Sequence, residues 1–311
     1  MDNLTNFLIG QRSHPPPVVK CKAIPVILNP AARGDRAARL HDELAALSPN
    51  ALIWPTRERG DAQRFAERAV AEGFDTVVAA GGDGTINEVA NGIAGSDTTL
   101  GLLPLGTMNV YASELGLPSK PLRRCWEIIE AGKTREVDLA LANGRYFVQL
   151  AGIGFDAQAT ERVKRADKRA FGPLSYLMAA SHILTSGPRP VDVTVESECG
   201  RTETGRFALV GNGRYYGGKL RLFKDARLDD GMLDVVVFKR LSHFDLLRYF
   251  RGVLFSDHHN FTDVRYFQTS RLTVRATESH GRVPFEADGE FAGEAPVEFS
   301  VAEKKLRVIV A

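Results

Sequence analysis

Short apolar runs alternate with amphipathic stretches through the first part of the chain. Ile24-Pro25-Val26-Ile27-Leu28, Leu52-Ile53-Trp54, Thr76 to Ala80 and Leu100 to Leu103 carry no charge, the pattern of strands buried on both faces. Between them the apolar positions fall at helical spacing. Leu40, Leu44 and Leu47 share one face, and Ala62, Phe65, Ala66, Ala69 and Val70 share another behind Asp61, the expected cap. Ile86, Val89, Ala90 and Ile93 recur at i, i+3, i+4 and i+7, and Pro121 opens a helix through Trp126, Ile128 and Ile129. This alternation predicts an α/β domain: a parallel sheet with helices on both faces and a ligand beyond the carboxyl ends of its strands.

Near Arg135 the period changes. Val137 to Leu141, a turn at Asn143-Gly144 and Tyr146 to Leu150 read as a hairpin. Further short strands are expected at Val191–Val195, Phe207–Val210, Leu233–Phe238, Leu272–Val274, Val297–Val301 and Leu306–Val310. The second domain is therefore expected to be a mainly antiparallel, β-sandwich-like unit. The expected divisions are a flexible leader at 1–21, an α/β domain at 22–134 and a β-rich domain at 135–311. Two helices interrupt the strands. Ser242-His243-Phe244-Asp245 is a capping pattern for a short one. A longer one from Ala157 to Leu184 joins a basic half to an apolar half, so Arg162–Leu184 reads either as an interfacial membrane contact or as a solvated face followed by a core helix.

Four loops are expected at one sheet edge: Asn29 to Gly34, Thr56, Gly81 to Thr85, and Gly106 to Asn109. The third runs strand, glycine turn, helix, which aims free backbone N–H groups and a positive dipole end at one point and so attracts phosphate. Asp83 inside it would repel phosphate unless a divalent cation or a polarised water lay between them. The chain lacks G-x-x-x-x-G-K-[ST] and the protein-kinase motif set, which excludes both classes.

The 311 residues suffice for two cores, and 44% hydrophobic with 25% charged residues is a globular composition. A net charge of +2 gives no reason to expect a nucleic-acid partner. Cys21, Cys125 and Cys199 are far apart, which favours a reducing compartment. With no secretory signal and no apolar run of about 20 residues, the expected location is cytoplasmic, with peripheral contact at the inner membrane face. An exposed edge strand would permit a homodimer. His258-His259 are expected at the surface and are assigned no metal. Gly152-Ile153-Gly154-Phe155-Asp156-Ala157 imitates a dinucleotide fingerprint but sits in the β-rich half. Two acidic clusters remain. Asp225 to Asp234 sets carboxylates and loop carbonyls where a hard cation fits, and Glu286-Ala287-Asp288-Gly289-Glu290 puts carboxylates either side of a glycine turn, one as base and the other as its partner.

Taken in order, Asn29-Pro30, Gly81-Gly82-Asp83-Gly84-Thr85-Ile86-Asn87-Glu88, Pro104-Leu105-Gly106-Thr107-Met108-Asn109, Gly152-Ile153-Gly154-Phe155-Asp156, Asp230-Gly231-Met232-Leu233-Asp234 and Asp288-Gly289-Glu290 resemble the diacylglycerol-kinase catalytic-domain superfamily, in particular its bacterial soluble lipid kinases. The resemblance implies an ATP- and Mg²⁺-dependent kinase that phosphorylates a hydroxyl on a lipid substrate. It implies ATP contacts at Asn29, Pro30, Ala31, Ala32, Arg33, Gly34, Thr56, Gly81, Gly82, Asp83, Gly84, Thr85, Ile86, Asn87, Gly106 and Thr107. Glu290 and Asp288 would be the catalytic carboxylates, with Glu290 favoured as base. A structural Mg²⁺ would take Asp230 with the Arg227 and Met232 carbonyls. Val110, Lys219 and Lys224 depart from the family pattern. Two other readings stay open at this point: a kinase for a soluble metabolite, because NAD kinases share the Gly-Gly-Asp-Gly-Thr loop, and a non-enzymatic lipid or nucleotide sensor.

Overall fold

The computed structural model describes residues 23–31, 42–118, 120–165, 181–182, 184–185, 191–277 and 282–311. The expected leader, Leu40, the loop residues Ala32, Arg33 and Gly34, and most of Arg162–Leu184 lie outside the described residues.

Strands are numbered in chain order. The first sheet runs β2 (Ala51–Pro55), β1 (Ile24–Leu28), β3 (Thr76–Gly81), β4 (Thr99–Pro104), β20 (Leu306–Ile309) and β5 (Thr134–Val137). Its first four strands are mutually parallel, as the alternation predicts. Both faces are covered. Val77 and Ala79 pack under the helices Asp61–Ala71 and Asp83–Ile93. Val78 and Ala80 pack against Cys125, Trp126 and Ile129 of the Leu122–Ala131 helix. The first two helices cross closely because Gly92 has no side chain: a Cβ there would lie 2.6 Å from both the Ala66 Cβ and the Gln63 carbonyl oxygen.

Asp61 does not cap its own helix. Gly60 holds the N-cap position, and the Asp61 carboxylate turns back to accept the N–H groups of Arg57 (2.7 Å) and Glu58 (3.0 Å). The carboxylate that accepts the Gly60 and Ala62 N–H groups belongs to Glu88, one helix away. The Ser242 cap forms as expected, its hydroxyl accepting the Asp245 N–H at 3.1 Å on the His243–Leu254 helix.

The second half supplies two six-stranded antiparallel sheets. One runs β10 (Thr202–Gly205), β9 (Val193–Ser197), β16 (Arg271–Ala276), β19 (Val297–Val301), β6 (Ala140–Ala142) and β7 (Arg145–Phe147). The other runs β15 (Val264–Thr269), β14 (Leu233–Phe238), β11 (Phe207–Gly211), β8 (Leu150–Gly154), β17 (Pro284–Ala287) and β18 (Glu290–Glu294). β12 (Tyr215–Tyr216) and β13 (Leu220–Arg221) form a separate ribbon. Side chains from both large sheets share one core, where Phe299 meets Phe147 and Phe285 edge to face at centroid distances of 6.1 and 6.2 Å. The third sheet is also covered on its outer face, where Phe207, Leu209, Val236 and Phe238 pack toward the His243–Leu254 helix.

Chain order and sheet membership part company at two places. Asn143 and Gly144, with φ of 47° and 82°, turn β6 into β7 as expected, but Val137 belongs to β5 in the first sheet. The strand expected at Leu306–Val310 does not join the sandwich: β20 inserts beside β4, with Val308 in register with Leu100. Both ends of the β-rich half are thus stitched into the α/β sheet. His258, expected at the surface, is buried, and its ring nitrogens face the Leu222 (2.8 Å) and Gly252 (3.3 Å) carbonyls. Among the described residues no helix is long and apolar enough to cross a membrane.

Candidate active site

The loops at the carboxyl edge of the first sheet are tied to it by their own backbones. Asn29 N–H donates to the Ala80 carbonyl, Thr56 N–H to Leu28, and Leu105 N–H to Gly81. The helix starting at Asp83 has an extended N-cap, Gly82, so the N–H groups of its first turn face outward without helical acceptors. Gly81 is bare because the Thr85 hydroxyl lies 2.4 Å from where its Cβ would stand. The neighbouring loop presses Gly106 against Gly82: a Cβ on Gly106 would approach the Gly82 Cα to 2.6 Å. Asn109, with φ of 49°, turns that loop into the Val110–Glu114 helix and donates its amide to the Gly106 carbonyl.

The expected phosphate-site residues within the described chain therefore gather at one edge, but they do different things. Asn29 donates to the Thr85 hydroxyl at 3.1 Å and accepts the Ala31 N–H at 3.0 Å, bracing its loop against the Asp83–Ile93 helix. Pro30 and Ala31 form the single turn that follows. The Ile86 side chain is fully buried in the helix–sheet core, so only its backbone is available at the site. Asn87 is turned away from the loop mouth. Its amide donates to Asp288 at 2.7 Å and to the Tyr146 carbonyl at 3.2 Å, which fastens the Asp83–Ile93 helix to the distant Asp-Gly-Glu turn.

That turn brings the two halves together. Asp288 adopts φ of 50° and Gly289 φ of 76°, placing Glu290 at the start of β18. The Asp288 carboxylate accepts four donors: Asn87 and the Val148 N–H (2.8 Å) on one oxygen, the Gln149 (2.9 Å) and Leu150 (3.2 Å) N–H groups on the other. Burial pushes its carboxyl up from the ordinary range while these donors pull it back. Glu290 is differently placed. It forms an ion pair with Arg59, and its Oε1 would be 3.9 Å from a Cβ on Gly84, over the first turn of the Asp83–Ile93 helix. Asp83 lies in the same cleft, its carboxyl raised by burial and by the charge of Asp288, with the Tyr111 N–H at 3.4 Å.

From Gly82, Asp83 and Gly84 a cavity of about 430 Å³ passes Asp288 and Glu290 and continues between the third sheet and the His243–Leu254 helix. Its far wall is apolar: Leu150, Phe207, Leu209, Phe238, Leu246 and Val253. Sequence reading missed this wall because each of these residues looks like ordinary core. It also missed Arg59, and it missed Glu114, which accepts Arg214 Nε (2.7 Å) and N–H (2.9 Å) and so braces the Val110–Glu114 helix against the sandwich loop. No sequence spacing links these pairs.

The expected metal loop stands apart from these groups. Asp230 accepts the Met232 N–H at 3.1 Å, and its carboxyl is raised by partial burial first and then by the charge of Asp138. The buried Asp138 carboxylate accepts the Gly231 N–H at 2.7 Å and pairs with Lys305 at 3.0 Å. Neither Asp138 nor Lys305 was singled out by the sequence. Arg227 is exposed on the same loop.

Comparison with known proteins agrees with this architecture. The diacylglycerol kinase catalytic domain model matches residues 23–142. The YegS C-terminal NAD kinase beta sandwich-like domain model matches residues 149–310. A diacylglycerol kinase of Bacillus subtilis (strain 168) is 33% identical over 255 residues, covering 81% of this chain and 82% of its own. A diacylglycerol kinase of Staphylococcus aureus (strain MRSA252) is 30% identical over 291 residues, covering 91% of this chain and 90% of its own. The crystal structure of a diacylglycerol kinase from Bacillus anthracis str. Sterne has the same fold, with a TM-score of 0.70 at 24% identity over 93% of this chain and 97% of its own. The protein is a phosphotransferase with an alcohol group as acceptor. The chain belongs to the diacylglycerol kinase catalytic-domain family.

Proposed function

We propose that this protein is an ATP- and Mg²⁺-dependent lipid kinase that transfers the γ-phosphate of ATP to a lipid hydroxyl, with diacylglycerol the first acceptor to test because the relatives carry that name. The observation that carries the reading is the cavity: one continuous space with a glycine phosphate loop at one end, two carboxylates at the middle and an apolar wall beyond. An alkyl chain fits such a wall, and its burial there is favourable by about 0.8 kcal/mol per methylene. A dinucleotide acceptor would need polar partners along it, which favours the lipid over the soluble-metabolite reading.

ATP would lie across the loop edge with its phosphates on the outward N–H groups of the first turn at Asp83, Gly84 and Thr85. Asn29, Pro30, Ala31, Thr56, Gly106 and Thr107 would border the nucleotide. Glu290 takes the proton of the acceptor hydroxyl, the oxygen bonds to the γ-phosphorus, and the bond from that phosphorus to the β–γ bridging oxygen breaks, releasing ADP. Asp288 serves this step by position: four donors already occupy its two oxygens, and it fixes the turn that aims Glu290. Mg²⁺, when bound, would neutralise charge developing on the phosphates. Asp83 fits that cation, since it lines the cleft together with Asp288 and its carboxyl is raised by burial and by that neighbouring charge. Asp230 with the Arg227 and Met232 carbonyls would take a second, structural ion, while Lys305 already balances Asp138.

A cytoplasmic location and contact with a bilayer belong to the same proposal. The Arg162–Leu184 segment expected to make that contact lies largely outside the described residues. Among the described residues Phe244, Leu247, Leu254 and Phe255 stand exposed on or just after the His243–Leu254 helix, whose Leu246 and Val253 line the cavity.

Incubating the protein with Mg-ATP and a lipid extract, followed by mass spectrometry, is expected to show one lipid class gaining a phosphate. No gain across diacylglycerol, sphingoid, ceramide and phosphatidylglycerol acceptors, or phosphorylation of NAD without detergent, would overturn the reading. Gly106→Ala tests the nucleotide end. Its methyl would meet backbone at Gly82 and the Asn109 side chain at 2.8 Å, so the two loops must separate. The expected loss in ATP affinity is about 1–3 kcal/mol, read by calorimetric titration.

A further inference from the structure

The segment Thr56 to Gly60 carries a residue that the nucleotide-site motifs do not include. It is tied down on both sides: Asp61 holds the Arg57 and Glu58 N–H groups, and Glu88, on the phosphate helix itself, holds those of Gly60 and Ala62. Between these ties the Arg59 side chain crosses the cleft to pair with the Glu290 carboxylate. Arg59 is 66% exposed and Glu290 25%, so the cation has room to move while the acid has little. Because Glu290 overhangs Gly84, the guanidinium lies beside the amides on which the phosphates would rest.

We propose that Arg59 is a phosphate-triggered latch on Glu290: it pairs with that carboxylate in the nucleotide-free enzyme and shifts to the γ-phosphate when ATP binds. The inference rests on the kinase reading given above. A guanidinium engages two oxygens of a phosphoryl group as readily as two of a carboxylate, and the γ-phosphate carries the greater charge. A carboxylate held by arginine is a poor proton acceptor, because the cation favours its charged form. Transfer of Arg59 to the γ-phosphate therefore has two effects at once. It lifts the Arg59 charge off the Glu290 carboxylate that takes the hydroxyl proton, and it places a positive charge where charge spreads in the transition state. ADP has no γ-phosphate, so the latch stays on Glu290 in the product complex.

Calorimetric titration of Mg-ATP and Mg-ADP onto the full chain tests this. Arg59→Gln is expected to weaken ATP by about 10- to 100-fold, the range of one or two charge-assisted hydrogen bonds, and ADP by less than about 2-fold. Arg59→Lys is expected to restore part of the ATP affinity. Glu290→Gln, which ends the competition for Arg59, is expected to tighten ATP several-fold, and this gain is expected to vanish in the Arg59→Gln/Glu290→Gln double variant. Equal effects of Arg59→Gln on ATP and ADP would mean a merely structural role for the loop and would overturn the proposal. So would a Glu290→Gln gain that persists without Arg59, which is simple relief of repulsion. Wild-type protein that binds no ATP would overturn the kinase reading itself, whereas ATP binding without coupling between Arg59 and Glu290 overturns the latch alone.

Discussion

Glu290→Gln is expected to lower phosphoryl transfer by about 10²- to 10⁴-fold, the span of a general base, while the thermal midpoint stays close to wild type. Glutamine keeps the size of the side chain at the start of β18 and removes its capacity to take a proton. Asp288→Asn is expected to behave differently, lowering both activity and thermal stability. Its carboxylate accepts Asn87 Nδ2 and the N–H groups of Val148, Gln149 and Leu150, and an amide must turn an NH₂ toward donors on one side. Each buried donor left unpaired costs about 1–3 kcal/mol, and the joint between phosphate helix and sandwich loosens with it. Steady-state rates and melting curves on the two variants separate a group that reacts from one that positions. Near wild-type rates in Glu290→Gln would reverse the assignment of the base.

The second large effect concerns the acceptor. Leu209→Trp, midway along β11, puts an indole into the apolar end of the cavity, where Leu209 lies beside Phe207 and Phe238. If the space holds an acyl chain, the added bulk displaces about three or four methylenes at about 0.8 kcal/mol each. The expected result is a roughly 100-fold fall in kcat/KM for dioleoylglycerol, a much smaller fall for dioctanoylglycerol and an unchanged KM for ATP. Parallel losses for both acceptors would place the chain elsewhere.

Four strands of the first sheet, β1 to β4, were legible because they are brief uncharged runs and the helices between them keep a 3.6-residue period, both local signals. The glycine loop was legible for a related reason: Gly81 and Gly106 are needed by close approaches that fall near the strand ends. The sandwich was legible as a class of fold. Its boundary was not, because Leu306-Arg307-Val308-Ile309 reads as a strand whichever sheet receives it, and only three-dimensional packing sends it beside β4. Asp61 illustrates a different limit. An acid before an amphipathic run predicts a cap, yet here Glu88 supplies it from another helix, which leaves Asp61 to shape the loop bearing Arg59. Asp288 and Glu290 could be chosen from the sequence as a pair of acids at a turn. Their separate roles rest on partners far along the chain: Asn87 for one and Arg59 for the other. The apolar wall was hidden because Phe207, Leu209 and Val253 carry no mark that distinguishes a cavity lining from a filled core.

One measurement bears most directly on the joining of glycine loop, carboxylates and apolar cavity into a single site. Single-turnover transfer from Mg-[γ-³²P]ATP to dioleoylglycerol in mixed micelles is expected to yield labelled phosphatidic acid with the wild-type protein. Label that stays on ATP, moves to water alone, or appears on a soluble acceptor in the absence of lipid would contradict it.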